Sequence, residues 1–236
     1  MAQAVNDALV DRLAAIPTAS LCDAYLKSGV YPPERVVMRN VRPLGSLQVR
    51  AAGRARTQQL VSLRDKARGS VVSNRRLHFE LVDRTRPGDF LILAVAGSDL
   101  LASFGDILAM KAKAMGAVGV VVDGATRDAA FIERLELPLW CDGITMIPQG
   151  YGGYSVESVD QPVTCAGVEV RPGDLIVADG DGVIVVPEDE AEEIAKLAEE
   201  LEADEERARV GIAQGQDLEV LYPSRAYYKP NDSEEE

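Results

Sequence analysis

The chain has 236 residues, of which 47% are hydrophobic, and this predicts one domain over residues 1–228 followed by a disordered acidic tail at 229–236. Its net charge of −13 argues against nucleic acid as a partner, because phosphate backbones attract Lys and Arg. No apolar run approaches a membrane span, and the three cysteines lack C-x-x-C spacing, so we expect a cytoplasmic protein without a membrane partner or a thiolate metal site.

The N-terminal third contains two predicted helices and an interrupted strand region. Residues 2–16 have helical apolar spacing, and a second helix begins near Thr18 or Ser20 as its cap and ends at Gly29. Residues 36–59 are strand-like but are interrupted by Pro and Gly. Residues 62–76 are polar and indicate either an exposed loop or a frayed helix.

The chain has a single histidine, His78. It lies in the alternating segment Leu77–Leu81, which predicts a strand, and we interpret His78 as a structural or surface residue. One histidine excludes zinc sites built from several histidines, and a Ser-His-Asp triad would have to use it. The chemistry must therefore use carboxylates, arginine, backbone amides and an oxygen-binding cation.

The middle and C-terminal parts indicate an α/β fold with a mostly parallel sheet. The tetrapeptide RPGD occurs at residues 86–89 and 171–174, each time as a tight turn before a buried strand. A strand at 90–95, a helix at about 105–115 and the strand VGVVVDG form a β-α-β unit. A charged helix at about 188–213 should pack its apolar stripe on the body or on a neighbouring subunit.

The segment 105–128 combines a helix start with a strand end. Gly105-Asp106 opens the helix, so the amides of residues 105–108 are donors at a positive helix end, where a carboxylate or phosphate can bind. Arg127-Asp128 follows the next strand, and ligands of open α/β sheets lie outside the carboxyl ends of strands. The two residues either have a structural role, as a local ion pair or with Asp128 as a helix cap, or bind an anionic substrate through Arg127 and a divalent cation through Asp128.

The motif resembles the signature of a known family. Gly105-Asp106, the 21 residues between Gly105 and Arg127, and the segment Asp123-Gly124-Ala125-Thr126-Arg127-Asp128 are similar to the 4-hydroxy-4-methyl-2-oxoglutarate aldolase family, which also contains the regulator of ribonuclease E activity A. Similar segments at residues 18–24, 167–174 and 178–183 extend the resemblance over residues 16–195.

The resemblance implies a swivelling β/β/α sandwich, here with flanking N- and C-terminal helices, that assembles as homotrimers or homohexamers with sites at subunit interfaces. It also implies a metal-dependent (class II) lyase that cleaves a 4-hydroxy-2-oxo acid to pyruvate and decarboxylates oxaloacetate. The backbone of Gly105, Asp106, Ile107 and Leu108 would hold the carboxylate of the keto acid. Arg127 would be catalytic and bind the ketone or enolate oxygen. Asp128 would ligate Mg²⁺ or Mn²⁺, largely through water.

One departure from the family pattern leaves alternatives open. The aldolases carry an acidic residue three positions after the Asp of Arg-Asp, where this chain has Phe131, with Glu133 two residues later. Glu133 substitutes for that acid, or the substrate is another sugar-derived keto acid handled by a related lyase or hydratase, or the chain is a non-catalytic regulator that binds an RNA-degrading enzyme.

Three smaller candidate segments have mainly structural interpretations. Residues 140–143, which include Trp140, are expected to pack rather than line the site. The glycine-rich loop at 148–154 lacks the phosphate-loop pattern and is interpreted as a flexible wall over the site, with Tyr151 or Tyr154 as candidate ligand contacts. Asp179 and Asp181 are expected to form a turn before the strand at 183–186.

Overall fold

The computed structural model describes residues 7–30, 32–46, 48–62, 70–149 and 154–221, without the side chains of 62–76 and 96–100. The helices are α1 (Ala8–Ala15), α2 (Thr18–Ser28), α3 (Ser70–Asp83), α4 (Asp106–Met115), α5 (Ala129–Leu135), α6 (Ala191–Ala213) and α7 (Leu218–Leu221). The strands are β1 (Arg42–Pro43), β2 (Ala51–Ser62), β3 (Asp89–Phe104), β4 (Gly119–Thr126), β5 (Leu139–Ile144), β6 (Tyr154–Val159), β7 (Val163–Cys165), β8 (Val168–Val170), β9 (Leu175–Ala178) and β10 (Val183–Val186).

A mixed sheet forms the centre of the fold. Its order is β1-β5-β4-β3-β2-β9-β10, with β6 also paired to β2, while β7 and β8 form a separate hairpin. The strands β2, β3, β4 and β5 are parallel to one another. This arrangement confirms the predicted β-α-β unit, and it brings the carboxyl ends of β3, β4 and β5 to one edge of the sheet.

Both faces of the central strands are covered, as a parallel sheet requires. Every residue of β4 is buried, because Val120 and Val122 face the layer of α3, α4 and α5 while Val121 faces the β7–β8 hairpin layer. The order hairpin, sheet, helices confirms the predicted α/β class and the β/β/α sandwich.

The flanking helices pack on β9 and β10 in a third apolar cluster. Leu13 of α1, Tyr25 of α2 and Ile194 of α6 are buried there. Polar contacts fix the same helices, since Arg12 Nε donates to Glu199 Oε1 at 2.8 Å and Ser20 Oγ donates to Glu202 Oε2 at 2.7 Å. The predicted C-terminal helix is confirmed, beginning at Ala191, and its apolar stripe packs on the body. Among the described helices, none has a stretch both long and apolar enough to cross a bilayer.

The predicted strand around His78 is wrong. The segment belongs to α3, because Leu77 and Leu81 also have the spacing of one helix face, and both pack against the core. His78 is structural, as expected. Its Nδ1 lies 2.8 Å from Oε1 of Gln58, and burial lowers the pKa of the imidazole to about 4.

Two other predictions at the N-terminal side are corrected. The helix α2 has Pro17 as its N-cap, and neither Thr18 nor Ser20 caps it. Instead Asp179, distant in sequence, accepts from Thr18 N at 2.9 Å. In the strand-like region 36–59, the described residues (all but 47) form strands only at β1 and from Ala51 onwards. Of the two predictions for residues 62–76, a loop or a helix, the helix is confirmed from Ser70 onwards. Residues 63–69 and the tail 229–236 lie outside the described residues.

Candidate active site

Hydrogen bonds connect the ends of β3 and β4 just before Gly105-Asp106 and Arg127-Asp128. The carbonyl oxygen of Phe104 accepts from Thr126 Oγ1 at 3.0 Å and from Arg127 N at 3.1 Å. Phe104 and Thr126 are both buried. The backbone positions of Gly105 and Arg127, the residues that follow, are therefore fixed relative to each other by buried hydrogen bonds.

Asp128 has an unusual backbone conformation. Its φ of 58° and ψ of 33° are left-handed, a region that Asp tolerates better than most non-glycine residues. The residue opens α5, and its carbonyl accepts from Phe131 N at 2.9 Å and Ile132 N at 3.1 Å. The left-handed turn directs the chain out of β4, so the Asp128 side chain points toward the start of α4 rather than along α5.

Contacts with the start of α4 show where that carboxylate lies. Oδ2 of Asp128 accepts from Asp106 N at 3.4 Å, across two different strand ends. A Cβ atom on Gly105 would lie 2.9 Å from the same oxygen. Gly105 is extended, with φ −155°, so the close approach and not backbone strain requires glycine. The Asp128 side chain thus caps α4, while its backbone occupies the N-cap position of α5 without a side-chain capping hydrogen bond there.

Arg127 and Asp128 form an ion pair that remains partly open to solvent. Arg127 Nε lies 3.1 Å from Asp128 Oδ2, and the two side chains keep 40% and 37% of their surface exposed. A pair this exposed contributes at most about 1 kcal/mol to folding. Its contribution to stability is small, and both charged groups remain accessible to a ligand.

The amides at the start of α4 are partly engaged already. Asp106 N contacts Asp128, and Ile107 N donates to Asp106 Oδ1 at 2.7 Å. The helix end therefore already binds carboxylates from its own chain, consistent with its positive partial charge. The side chain of Leu108 packs at the core, so this residue offers a ligand only its backbone.

An open depression of about 670 Å³ lies beside the pair, a volume typical of small-molecule sites. Its wall was not foreseen from the sequence, although a strand parallel to β4 must end at the same edge. The residues that line it are Arg127, Asp128, Ile144, Thr145, Met146 and Ile147.

The donor set fits a water-rich divalent cation. In the described part of the chain, no three His, Cys, Asp or Glu side chains come together as a metal cage. Mg²⁺ commonly uses one or two carboxylates and keeps several waters, which a single exposed Asp128 can satisfy. Thiolates are unsuited to the role, because burial raises the pKa of Cys141 to about 11 and raises the pKa of Cys165 well above its usual value.

This chain has Phe131 where the aldolases have an acidic residue, and Glu133 does not lie where it could replace that acid. A Cβ on Gly45 would lie 3.0 Å from Glu133 Cδ, so the carboxyl lies against this loop. The neighbouring Leu44 N donates to Leu139 O at the amino end of β5. Five residue steps along β5, roughly 17 Å, separate Leu139 from Ile144, which lines the depression.

The smaller candidates are structural where the structure describes them. Trp140 is buried and its Nε1 donates to Asp179 O at 2.8 Å, as the packing interpretation predicted. The predicted turn at Asp179 is confirmed, with Asp181 N donating to Oδ1 at 3.0 Å. Tyr154 packs at the core, and Tyr151 lies outside the described residues.

Comparison with known proteins decides the family. The model of the RraA-like family, described as Aldolase/RraA, matches residues 18–185. The chain belongs to the RraA-like family. Among solved structures of this family, Streptomyces coelicolor RraAS2, described as an unusual member of the RNase ES inhibitor RraA protein family, matches with a TM-score of 0.76 and 31% identity over 88% of this chain and 98% of RraAS2.

Several relatives of the chain carry an aldolase name, and two of them show the extent of the match. The 4-hydroxy-4-methyl-2-oxoglutarate aldolase of Thermus thermophilus is 30% identical over 68% of this chain and 90% of that protein. A Halalkalibacterium halodurans protein, provisionally given the same name, is 37% identical over 54% of this chain. That match spans 60% of the H. halodurans protein, less than two thirds of its length.

Proposed function

We propose that the chain is a metal-dependent lyase that cleaves a 4-hydroxy-2-oxo acid of the 4-hydroxy-4-methyl-2-oxoglutarate type to pyruvate. The observation that carries the proposal is the convergence of Arg127, Asp128 and the start of α4 beside one open depression. The aldolase names of relatives in the RraA-like family support the same reaction class. The substrate is a small-molecule keto acid, and we expect the enzyme to work in the cytoplasm.

The reaction breaks the C3–C4 bond of the substrate. The C4 hydroxyl loses its proton, C4 becomes a carbonyl carbon, and the bonding electron pair remains on the three-carbon fragment as the enolate of pyruvate. Protonation of that enolate at C3 completes the reaction without an oxidant or reductant. Negative charge therefore develops on the C2 oxygen during bond cleavage, and stabilising it is the main task of the site.

Three groups of this chain serve that task. The amides of Gly105, Asp106, Ile107 and Leu108 bind the C1 carboxylate at the positive end of α4, where carboxylates of the chain itself already bind. Arg127 donates to the C2 oxygen and stabilises the charge that develops there. Asp128 orients Arg127 through their 3.1 Å contact.

Asp128 would also hold Mg²⁺ or Mn²⁺, largely through water. The bound cation supplies Lewis-acid stabilisation of the developing oxyanion. Decarboxylation of oxaloacetate produces the same enolate, so we propose it as a second activity of this site. No Schiff-base lysine is required.

The assembly is a separate expectation. We propose a homotrimer or a dimer of trimers, because the family resemblance implies it and because Ile107 and Met110 of α4 are 69% and 48% exposed beside the site. Light scattering at micromolar concentration tests this, and a monomer would contradict it.

A pyruvate-release assay tests the function. The full-length protein, stripped with a chelator, is assayed on 4-hydroxy-4-methyl-2-oxoglutarate and oxaloacetate with and without added Mg²⁺ or Mn²⁺. We expect pyruvate from both substrates only when metal is present. No metal-stimulated pyruvate from any keto acid tested would overturn the enzyme proposal.

A second candidate is a regulator that binds an RNA-degrading enzyme. The 31% identity to RraAS2 over most of the chain favours it, because that protein is placed in a family of ribonuclease inhibitors. Phe131, in place of an acidic residue, also favours it. Inhibition of a purified endoribonuclease by a protein without turnover on keto acids would support this function over the first.

A further inference from the structure

The end of β3 is irregular, and individual contacts hold it. The strand pairs regularly with β2 as far as Ala94. Between Ala94 and Phe104 its register against β4 then shifts three times. Such shifts interrupt the ladder of hydrogen bonds that positions a regular strand. The position of this strand end therefore depends on specific side-chain contacts, and α3 supplies one of them through His78.

Gln58 connects β2 to α3 through two hydrogen bonds. Its side chain is fully buried, and an amide in such surroundings is costly unless it is hydrogen-bonded. Its Nε2 donates to the backbone oxygen of Leu77 at 3.2 Å, and its Oε1 lies 2.8 Å from Nδ1 of His78. Because both partners are consecutive residues of α3, Gln58 fixes the orientation of the imidazole relative to the sheet.

The imidazole of His78 also reaches the end of β3, where it makes a hydrogen bond to the backbone of Ser103. The residue is half-buried, and burial lowers the pKa of the imidazole to about 4, although the contact with Ser103 opposes that shift. The ring is therefore neutral at pH 7. It serves as a hydrogen-bonding group between two strands and not as an acid or base.

The contact at Ser103 is close in the chain to the candidate site. Phe104 follows directly, and its carbonyl oxygen accepts from Thr126 Oγ1 and from Arg127 N. Gly105, the N-cap of α4, comes next. A continuous path of hydrogen bonds and peptide bonds thus connects the imidazole to the backbone of Arg127 and to the start of α4.

We propose that His78 is a positioning residue of the candidate site. By joining Gln58 to the backbone of Ser103, it fixes the end of β3 and with it the backbone of Arg127 and the amides at the start of α4. The catalytic consequence rests on the proposed function, because Arg127 and these amides are the groups that bind the keto acid there. A purely structural histidine would stabilise the fold without affecting where these groups lie.

A paired apolar replacement separates positioning from stability. Replacing one member alone leaves the other without its partner, which destabilises the fold whatever the role of the pair. The double variant Gln58→Leu/His78→Leu removes both polar groups, and such a replacement can leave stability nearly unchanged. We expect its melting temperature to stay near that of wild type while kcat/KM falls about ten-fold or more, because catalysis is sensitive to small displacements. If the double variant does not fold, His78→Gln, which keeps a polar group beside Gln58, takes its place in the same comparison.

The amide of Arg127 reports the position of the strand ends whether or not the chain is an enzyme. It donates to Phe104 O at 3.1 Å, so loosening the end of β3 should speed its hydrogen exchange, measured by NMR, by about ten-fold or more. The amide of Ala55 is the internal reference. It lies beside the start of β3 and donates to Asp174 O at 2.8 Å, so it should exchange as in wild type.

Thr57→Val is the matched control variant. Thr57 is also fully buried and precedes Gln58, but adjacent residues of a strand face opposite sides of the sheet. Its Oγ1 donates to Gln161 O at 2.6 Å. The variant therefore removes a buried hydrogen bond next to the pair without changing the contact at the end of β3. We expect kcat/KM and the exchange of the Arg127 amide to match wild type.

Each outcome decides the proposal. Faster exchange at Arg127 together with lower kcat/KM, in the double variant and not in Thr57→Val, supports it. Unchanged exchange overturns it, and so does faster exchange with wild-type kcat/KM. Equal effects in Thr57→Val would show a general response to lost buried hydrogen bonds and would also overturn it. If wild type itself has no turnover, the proposed function falls, while the exchange measurement still decides whether His78 positions the strand ends.

Discussion

A Cβ atom on Gly105 would lie 2.9 Å from Oδ2 of Asp128, although the two residues follow different strands. The contact exists because the carboxyl ends of β3 and β4 meet at one sheet edge and because Asp128 takes a left-handed conformation. It links the start of α4, the proposed carboxylate site, to the proposed metal ligand. Each half of the site therefore positions the other.

Gly105→Ala tests this link. The added methyl group displaces the Asp128 carboxylate, which is the free end of a side chain, so we expect a small change in melting temperature. The same displacement should lower kcat/KM by about 10- to 100-fold, because catalysis is sensitive to shifts near 1 Å. Gly143→Ala is the control, since a Cβ there meets nothing within 4 Å. Equal activity of the two variants would show that the contact is unimportant.

Arg127→Ala distinguishes the enzyme from the regulator. In the enzyme, Arg127 stabilises charge that appears only during bond cleavage, so kcat should fall by about 10²–10³-fold. Arg127→Lys keeps the charge without the planar fork and should recover only part of the rate. Melting temperatures should change little, because the ion pair is exposed. A large loss of stability in Arg127→Ala would instead indicate a structural role.

Asp128→Asn tests the metal site without disturbing the fold. Asn also tolerates the left-handed conformation with φ 58°, so the variant should fold normally. It removes an anionic oxygen from the proposed ligand, so half-maximal activity should require a much higher concentration of Mg²⁺ or Mn²⁺. Metal titrations of wild type and variant make the comparison, and an unchanged requirement would assign the metal to other residues.

His78 should make stability depend on pH below neutrality. Its pKa is about 4 in the folded protein and near 6.5 in an unfolded chain, so the unfolded state binds more protons between these values. Stability is therefore complete above about pH 6.5 and decreases as the pH falls toward 4, by up to about 3 kcal/mol. Urea unfolding of wild type and His78→Gln from pH 7 to pH 4 measures this difference. Parallel pH profiles for the two proteins would contradict it.

Local sequence is sufficient to predict the elements whose pattern has a single physical solution. VGVVVDG is buried on both faces and could only be a central strand, and the helix from Asp106 to Met115 has a glycine at each end. Arg127 and Asp128 could be assigned to the carboxyl end of this strand because they follow it directly in the sequence. The strand predicted around His78 was wrong because the apolar spacing there fits both a strand and one face of a helix. Packing on the core decides between the two.

Tertiary structure decided which distant residues meet. Sheet order and a left-handed turn are not encoded in local spacing, and they decide three contacts. Asp179 caps α2, Asp128 caps α4, and Glu133 lies against Gly45. The wall of Ile144 and Met146 became part of the site only through the parallel pairing of β5 with β4. Local sequence specifies periodicity and turns, whereas the arrangement of a site is set by contacts between elements far apart in the chain.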